Sequence, residues 1–245
     1  MAAGPFDPMQ QFQLSRLADF SVAGVDLGLT NSAVHALVGA VVAGGLLMFA
    51  SRGQRLLPNR WQTFAEWPYE FVRQLAHDNL GEKKAKPFIP FLLTLFLFVL
   101  MGNLIGLLPY AFTYTSHISV TLTLALLSIA VVIGTGFRMH GIKFFKLFLP
   151  TGAPLYIAPV IVPIEIISFM GKPLSLAIRL FANMLAGHIM IKVFAYFCTT
   201  AGLLAVLPLV GNILIFGFEL FVAFLQAYIF TLLVTVYLHD AIDLH

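Results

Sequence analysis

FIPFLLTLFLFVLMGNLIGLLPYAFTYTSHISVTLTLALLSIAVVIGTGF, residues 88 to 137, runs for fifty residues without one Asp, Glu, Lys or Arg. An uncharged apolar run of about 18 residues already marks a membrane span, and about 20 residues of helix cross the hydrocarbon layer. Fifty residues are therefore enough for two crossings and a turn. The polar stretch Thr113 to His117, after Pro109, is where the turn belongs, so the segment 88–137 reads as a helical hairpin. The whole chain fits the same solvent. Of its 245 residues 60% are apolar and 10% charged, 24 are Phe, and the mean hydropathy is +0.93. An ordinary soluble domain carries about 25% charged residues, so a soluble globular protein is excluded.

The flanks of the hairpin orient it. Lys83, Lys84 and Lys86 precede it, and Arg138, Lys143 and Lys146 follow it. Two crossings return the chain to the side it left, so both basic clusters lie on one side, and positively charged loops stay cytoplasmic. Upstream, a first span at 32–51 stops at Arg52, Arg55 and Arg60, which places the segment 1–30 outside. That segment opens without a basic n-region and carries Asp7, Asp19 and Asp26, so no secretory leader is expected. Over 61–80 the residues Trp61, Phe64, Phe71, Val72 and Leu75 recur at helical spacing while Glu66, Glu70, Arg73 and His77 take another face. This is an amphipathic helix suited to the interface. The single cysteine, Cys198, leaves no intramolecular disulfide and no multi-thiolate metal site.

The segment 155–240 differs, because its apolar background is broken by Glu165, Lys172, Arg179, His188, Lys192 and Glu219. Charges inside a membrane are costly and mark function. At roughly 100° per residue, Glu165, Ser168, Lys172, Ser175, Arg179, Asn183, Ala186 and Gly187 share one polar or small stripe, and His188 points about 180° from Arg179. Small residues at 186 and 187 let another helix approach. A second long helical run, to Leu238, carries Glu219 and Gln226 on one face. With the reversal at Thr199 to Gly202, facing residues have numbers that sum to about 407 in an antiparallel pair. His188 then meets Glu219, Arg179 lies near Gln226 to Tyr228, and Glu165 approaches Asp240. Pro208 is the residue that could move this reversal. The expected fold is an all-α polytopic membrane protein: five membrane-embedded helices plus one interfacial helix in a single membrane domain, the last two helices long, tilted and antiparallel.

PIEIISFMGKPLSLAIRLFANMLAGHIMI, residues 163 to 191, resembles the signature helix of subunit a of the F-type ATP synthase. LMGNLIGLLPY at 100–110 and LQAYIFTLLVTVYL at 225–238 resemble that family's other characteristic segments. The resemblance implies a stator subunit beside a rotating ring of c subunits, conducting protons through two offset half-channels. It implies peripheral-stalk b subunits, the remaining synthase subunits and membrane lipid as partners, no nucleic acid, and no cofactor or metal. Carried over by motif position, Arg179 corresponds to the essential arginine, Asn183 and Gln226 to polar neighbours, and Glu165, His188 and Glu219 to positions of proton access. Asp240 joins that path, and Ser168, Ser175, Ala186 and Gly187 complete the rotor face. The expected location is a bacterial inner membrane, with the N-terminus outside and the C-terminus cytoplasmic.

Plainer readings stand beside these. Lys172 and Lys192 are expected to snorkel toward helix ends, His117 to be solvated at its turn, and Gly102 and Gly106 to mark helix packing alone. An ion-coupled secondary transporter is the competing function, but it would show internal repeats, and the 163–191 pattern has no second copy. A haem-binding subunit would need histidines at facing depths, and His35, His117 and His188 offer no pair. Neither GxSxG nor HExxH occurs, which argues against an intramembrane hydrolase.

Overall fold

The computed structural model describes residues 16–18, 21–22, 25–26, 29–51, 60–108, 113–148, 157–200 and 202–243. Before the first helix, β1 (Arg16–Ala18) pairs antiparallel with β4 (Leu29–Thr30), and β2 (Ser21–Val22) with β3 (Val25–Asp26). The two ladders are nested, Arg16 facing Thr30 outside and Val22 facing Val25 inside. No pattern in the sequence marks them, because two or three residues are too few to display an alternation of period two.

Helix α1 (Asn31–Ser51) begins where Thr30 Oγ1 accepts a bond from Ala33 N at 3.3 Å, the reach of an N-cap side chain into the first turn. Helix α2 (Arg60–Leu80) keeps Glu70 and Arg73 exposed in an ion pair of 2.9 Å, while Val72, Leu75, Ala76 and Leu80 are buried. The side chains of Trp61 and Phe64, expected on the apolar face, lie outside the described ones, as do residues 52–59 with Arg52 and Arg55. Gly81, with φ +74, ends α2 and admits the single turn α3 (Glu82–Ala85). The hairpin follows as α4 (Ile89–Gly106) and α5 (Ile118–His140), with a 3-10 turn at Tyr114–Ser116 between them. Pro109 lies outside the described residues. Of the long apolar helices α4 is the most enclosed, with 61% of its span buried within the chain. After α5, Gly141 turns the chain at φ +54 into a 3-10 segment, Gly141–Phe148.

Helices α6 (Ala158–Thr200) and α7 (Val206–Ile242) are the longest elements. Pro173 sits inside α6, where it removes one backbone donor without ending the helix. Thr199 and Thr200 return their hydroxyls to the Tyr196 carbonyl, and Gly202, at φ +55, turns the chain. Pro208 does not displace the reversal, because it falls in the first turn of α7, where no intrahelical N–H bond is lost. Among the described residues five helices, α1, α4, α5, α6 and α7, are long and apolar enough to cross a membrane. The chain is an all-α polytopic membrane protein, its strands confined to the short segment before α1.

These elements divide their lengths between two packed units. The first takes the chain to Leu46, Phe98–His117 and Leu180–Ala227. Within it α6 and α7 run antiparallel, as successive close approaches show: Asn183 donates to Gln226 at 3.1 Å, Glu219 covers Gly187, and the Phe194 ring covers Gly211. Tyr114 is fully buried against Gly39 and Gly102, and its hydroxyl donates to the Phe98 carbonyl at 2.8 Å. Gly102 and Gly106 therefore make room for the turn's own side chains rather than for a second helix. The other unit takes Leu47–Leu97, Ile118–Arg179 and Tyr228–His245. There Phe71 of α2 packs on Phe96 at 5.5 Å and on Tyr228 at 5.7 Å. The end of α7 is tied twice, by an ion pair from Lys84 to Asp243 and by a 2.9 Å bond between His140 Nε2 and the Ile242 carbonyl.

Candidate functional site

Helix α6 carries most of the polar residues. Ser168, Ser175, Arg179 and Ala186 are exposed, Glu165, Lys172 and Asn183 are half-buried, and Gly187 and His188 are buried. The exposed sector also takes in Ile164, Ile178 and Ala182, so it lies to one side of the expected stripe. At roughly 100° per residue Gly187 stands about 80° from Arg179, toward His188. The structure corrects the placing of Gly187 on an outward face. The Glu219 carboxyl occupies the space a Cβ at 187 would take, so Gly187 belongs to the α6–α7 seam.

Arg179 remains outward, with no hydrogen bond or ion pair to any described residue. Elsewhere on this stretch of α6 Met170, Leu174 and Ile178 are apolar and about half exposed. A guanidinium on a long apolar helix, with no ion pair among the described residues, calls for an answering charge or dipole. Tyr237 is near enough to feel the fields of both Arg179 and Asp240.

The ion-pair partner of Asp240 is Lys172. The Asp240 carboxylate lies 3.5 Å from Lys172 Nζ, and that ammonium also stands over the rings of Phe169 at 5.6 Å and Tyr237 at 5.0 Å. Lys172 is thus half-buried beside a counter-ion and two aromatic faces.

The most enclosed polar cluster joins four elements of the first unit. His188 Nε2 and the Thr113 hydroxyl share a bond of 2.8 Å, the tautomer deciding which donates. Ser116 Oγ donates to the Thr113 carbonyl at 2.6 Å, and Thr115 Oγ1 donates to Asn103 Oδ1 at 2.9 Å. Asn103 in turn donates to the Ala223 carbonyl of α7 at 3.2 Å. Glu219, 5% exposed, stands one turn before Ala223 and covers Gly187, the residue adjoining His188. One of its carboxyl oxygens has no hydrogen-bond partner among the described residues, nor has the Gln226 amide nitrogen. Such buried groups are held ready for a proton, a water or an incoming polar group.

Sequence reasoning passed over Asn103, Thr113, Thr115 and Ser116. Asn103 was visible as the one carboxamide in an 18-residue apolar helix; the others read as an ordinary polar turn. His117, expected to be solvated, is half-buried, and burial holds its imidazole below the usual pKa. Among the described residues no three His, Cys, Asp or Glu side chains gather as a metal site.

A polytopic helical membrane protein that carries ionisable side chains along its two longest helices, some sealed between them and one left facing out, is a protein organised to handle charge at lipid depth. The family model for the ATP synthase A chain matches residues 32–239. ATP synthase subunit a 1 of Brucella anthropi is 49% identical over 243 residues, covering 96% of this chain and 97% of the relative. ATP synthase subunit a of Chelativorans sp. is 47% identical, and that of Brucella canis 49%, over the same shares. The chain belongs to the ATP synthase A chain family.

Proposed function

We propose that this chain is the proton-conducting stator subunit of an F-type ATP synthase. It would offer two offset aqueous half-channels to and from the carboxylates of a rotating c-subunit ring, so that proton flow is coupled to rotation. It carries out no ATP chemistry by itself; its partners are the c-ring, the peripheral-stalk b subunits and the rest of the synthase. A bacterial inner membrane, with the N-terminus outside and the C-terminus cytoplasmic, is supported by the paired basic clusters and by bacterial relatives.

The observation that carries this reading is Arg179, exposed on α6 with no hydrogen bond or ion pair to any described residue. A guanidinium remains charged to about pH 12 and above, so it cannot relay a proton between the two half-channels. It can attract a deprotonated ring carboxylate across a low-dielectric gap and release it once that carboxylate moves on to be protonated. Each proton crossing contributes about 2.3 kcal/mol per 100 mV of membrane potential. On the sealed side of α6, His188 and Glu219 form the entry path; toward the other end Glu165 and Asp240 line the second, and Ser168, Ser175, Asn183, Ala186 and Gln226 support the rotor face and its central charge.

The test is Arg179→Ala in the assembled synthase. ATP-driven pumping in inverted vesicles should vanish while assembly persists and passive proton leak rises. Arg179→Lys should fail nearly as badly, because a buried lysine gives up its proton. Normal coupled synthesis in either variant would overturn the reading, and copurification without a ring of small two-helix subunits would favour a secondary transporter.

A further inference from the structure

The buried imidazole of His188 is not positioned by α6 and α7 alone. Its Nε2 meets the hydroxyl of Thr113, a residue 75 positions away in the turn between α4 and α5. Thr113 is 5% exposed and His188 9%, so water does not readily replace this bond. Three further features fix the hydroxyl. The Thr113 carbonyl is held by Ser116 Oγ. Gly106 of α4 leaves open the volume into which the Thr113 side chain fits; a Cβ there would collide with both the hydroxyl and the methyl. Asn103, bonded to Thr115 and to the Ala223 carbonyl, ties the same turn to α7 one turn beyond Glu219.

We infer that Thr113 is a positioning residue for the proton path, and that the Gly106 notch exists to admit it. The inference rests on the proposed role of His188 in proton entry. Its chemistry follows from the amphoteric hydroxyl, which donates to a bare imidazole nitrogen and accepts from a protonated one. The ring can therefore gain and lose a proton without turning and without leaving a buried nitrogen unpaired in either state. A carbonyl in this place would serve only the protonated nitrogen, and an ammonium only the bare one. Among the described residues the charge whose field reaches the ring is Lys192, one turn further along α6, while Glu219 of α7 packs over the adjoining Gly187. The α4–α5 turn contributes Thr113, which carries no charge, so the hydroxyl adds a partner to the imidazole without adding a further charge.

The experiment measures ATP-driven proton pumping in inverted vesicles across the neutral pH range, with ATP hydrolysis and subunit content as controls for assembly. Thr113→Val keeps the shape and removes the hydroxyl. It should slow pumping about tenfold, the factor for one lost buried hydrogen bond, and move the pH profile to lower pH, because the imidazolium suffers more than the neutral ring from losing an oxygen neighbour. Thr113→Ser, which retains the hydroxyl, should recover most of the rate and the original profile. Gly106→Ala, which keeps Thr113 but displaces it, should reproduce the Thr113→Val profile, and combining the two should add little. If Thr113→Val does not assemble, Thr113→Ser against Thr113→Ala makes the same comparison without overpacking. An unchanged profile in the variants lacking the hydroxyl, or a Ser variant as impaired as Val or Ala, would overturn the inference. His188→Ala separates its failure from that of the functional reading: if that variant pumps normally, the path itself is misassigned; if it is impaired while Thr113→Val is not, only the positioning role falls.

Discussion

His188 and Glu219 come from opposite strands of one helical hairpin, and each is sealed from solvent by the chain itself. Glu219 reaches the neighbourhood of His188 only because residue 187 has no side chain. Under the proposed function, His188→Ala and Glu219→Ala should each slow proton entry, and the exchange His188→Glu with Glu219→His should restore more pumping than either half of it. A double-mutant cycle in inverted vesicles measures the coupling. Strict additivity without rescue would show that the two do not share a path. Lys172 illustrates what a single residue hides: its partners Asp240 and Tyr237 are distant in the sequence and only the fold brings them beside it.

At the scale of the element, helical phase decides which side chains a partner can reach. The exposed sector of α6 contains Ser175, Ala182 and Ala186, whereas Gly187 and His188 face the chain's own interior. Single cysteines at 175, 182 and 186, in a background with Cys198 replaced, should therefore crosslink to the outer helix of a c subunit, and cysteines at 187 and 188 should not. Gel analysis of oxidised membranes reads this directly; crosslinks from 187 or 188 alone would reverse the assignment of faces. The helices themselves were legible, because uncharged runs and their basic stops are a coarse signal that lipid enforces. The fold-back at Gly202 was legible for a similar reason, since reversal needs a residue tolerant of positive φ and the polar residues had to be paired. The edge of the exposed sector was not. Phase places Gly187 about 80° from Arg179, a position that either a partner or α7 could cover, and only packing chooses. The strands before α1 and the bonding of Thr113 were hidden too, because both depend on contacts between residues with no local periodicity.

For the whole molecule, the five long helices form an odd number, so the two ends of the chain are expected on opposite sides of the membrane. Under the proposed orientation both basic clusters share the cytoplasmic side with the end of α7, where Lys84 and Asp243 form their ion pair. Cysteines substituted for Lys83 and Lys143 should react with a membrane-impermeant thiol reagent in inverted vesicles and not in intact spheroplasts, and one substituted for Ser21 should do the reverse. Labelling of position 143 from outside would invert the topology and with it the assignment of entry and exit paths.

The glycine at 187 also bears on how this protein can change over generations. Because a carboxyl group from α7 fills the volume that any side chain there would need, residue 187 sets the size of what position 219 can hold. Enlarging 187 would push Glu219 out of its seat before selection ever acted on its charge. Drift at the two positions is therefore linked: 219 is free to vary among side chains that fit the recess only while 187 stays small, and a lineage that lost the glycine would have to shorten the residue opposite in the same step or relocate the carboxylate to another helix. Inheritance should carry 187, 188 and 219 together, as one word rather than three letters.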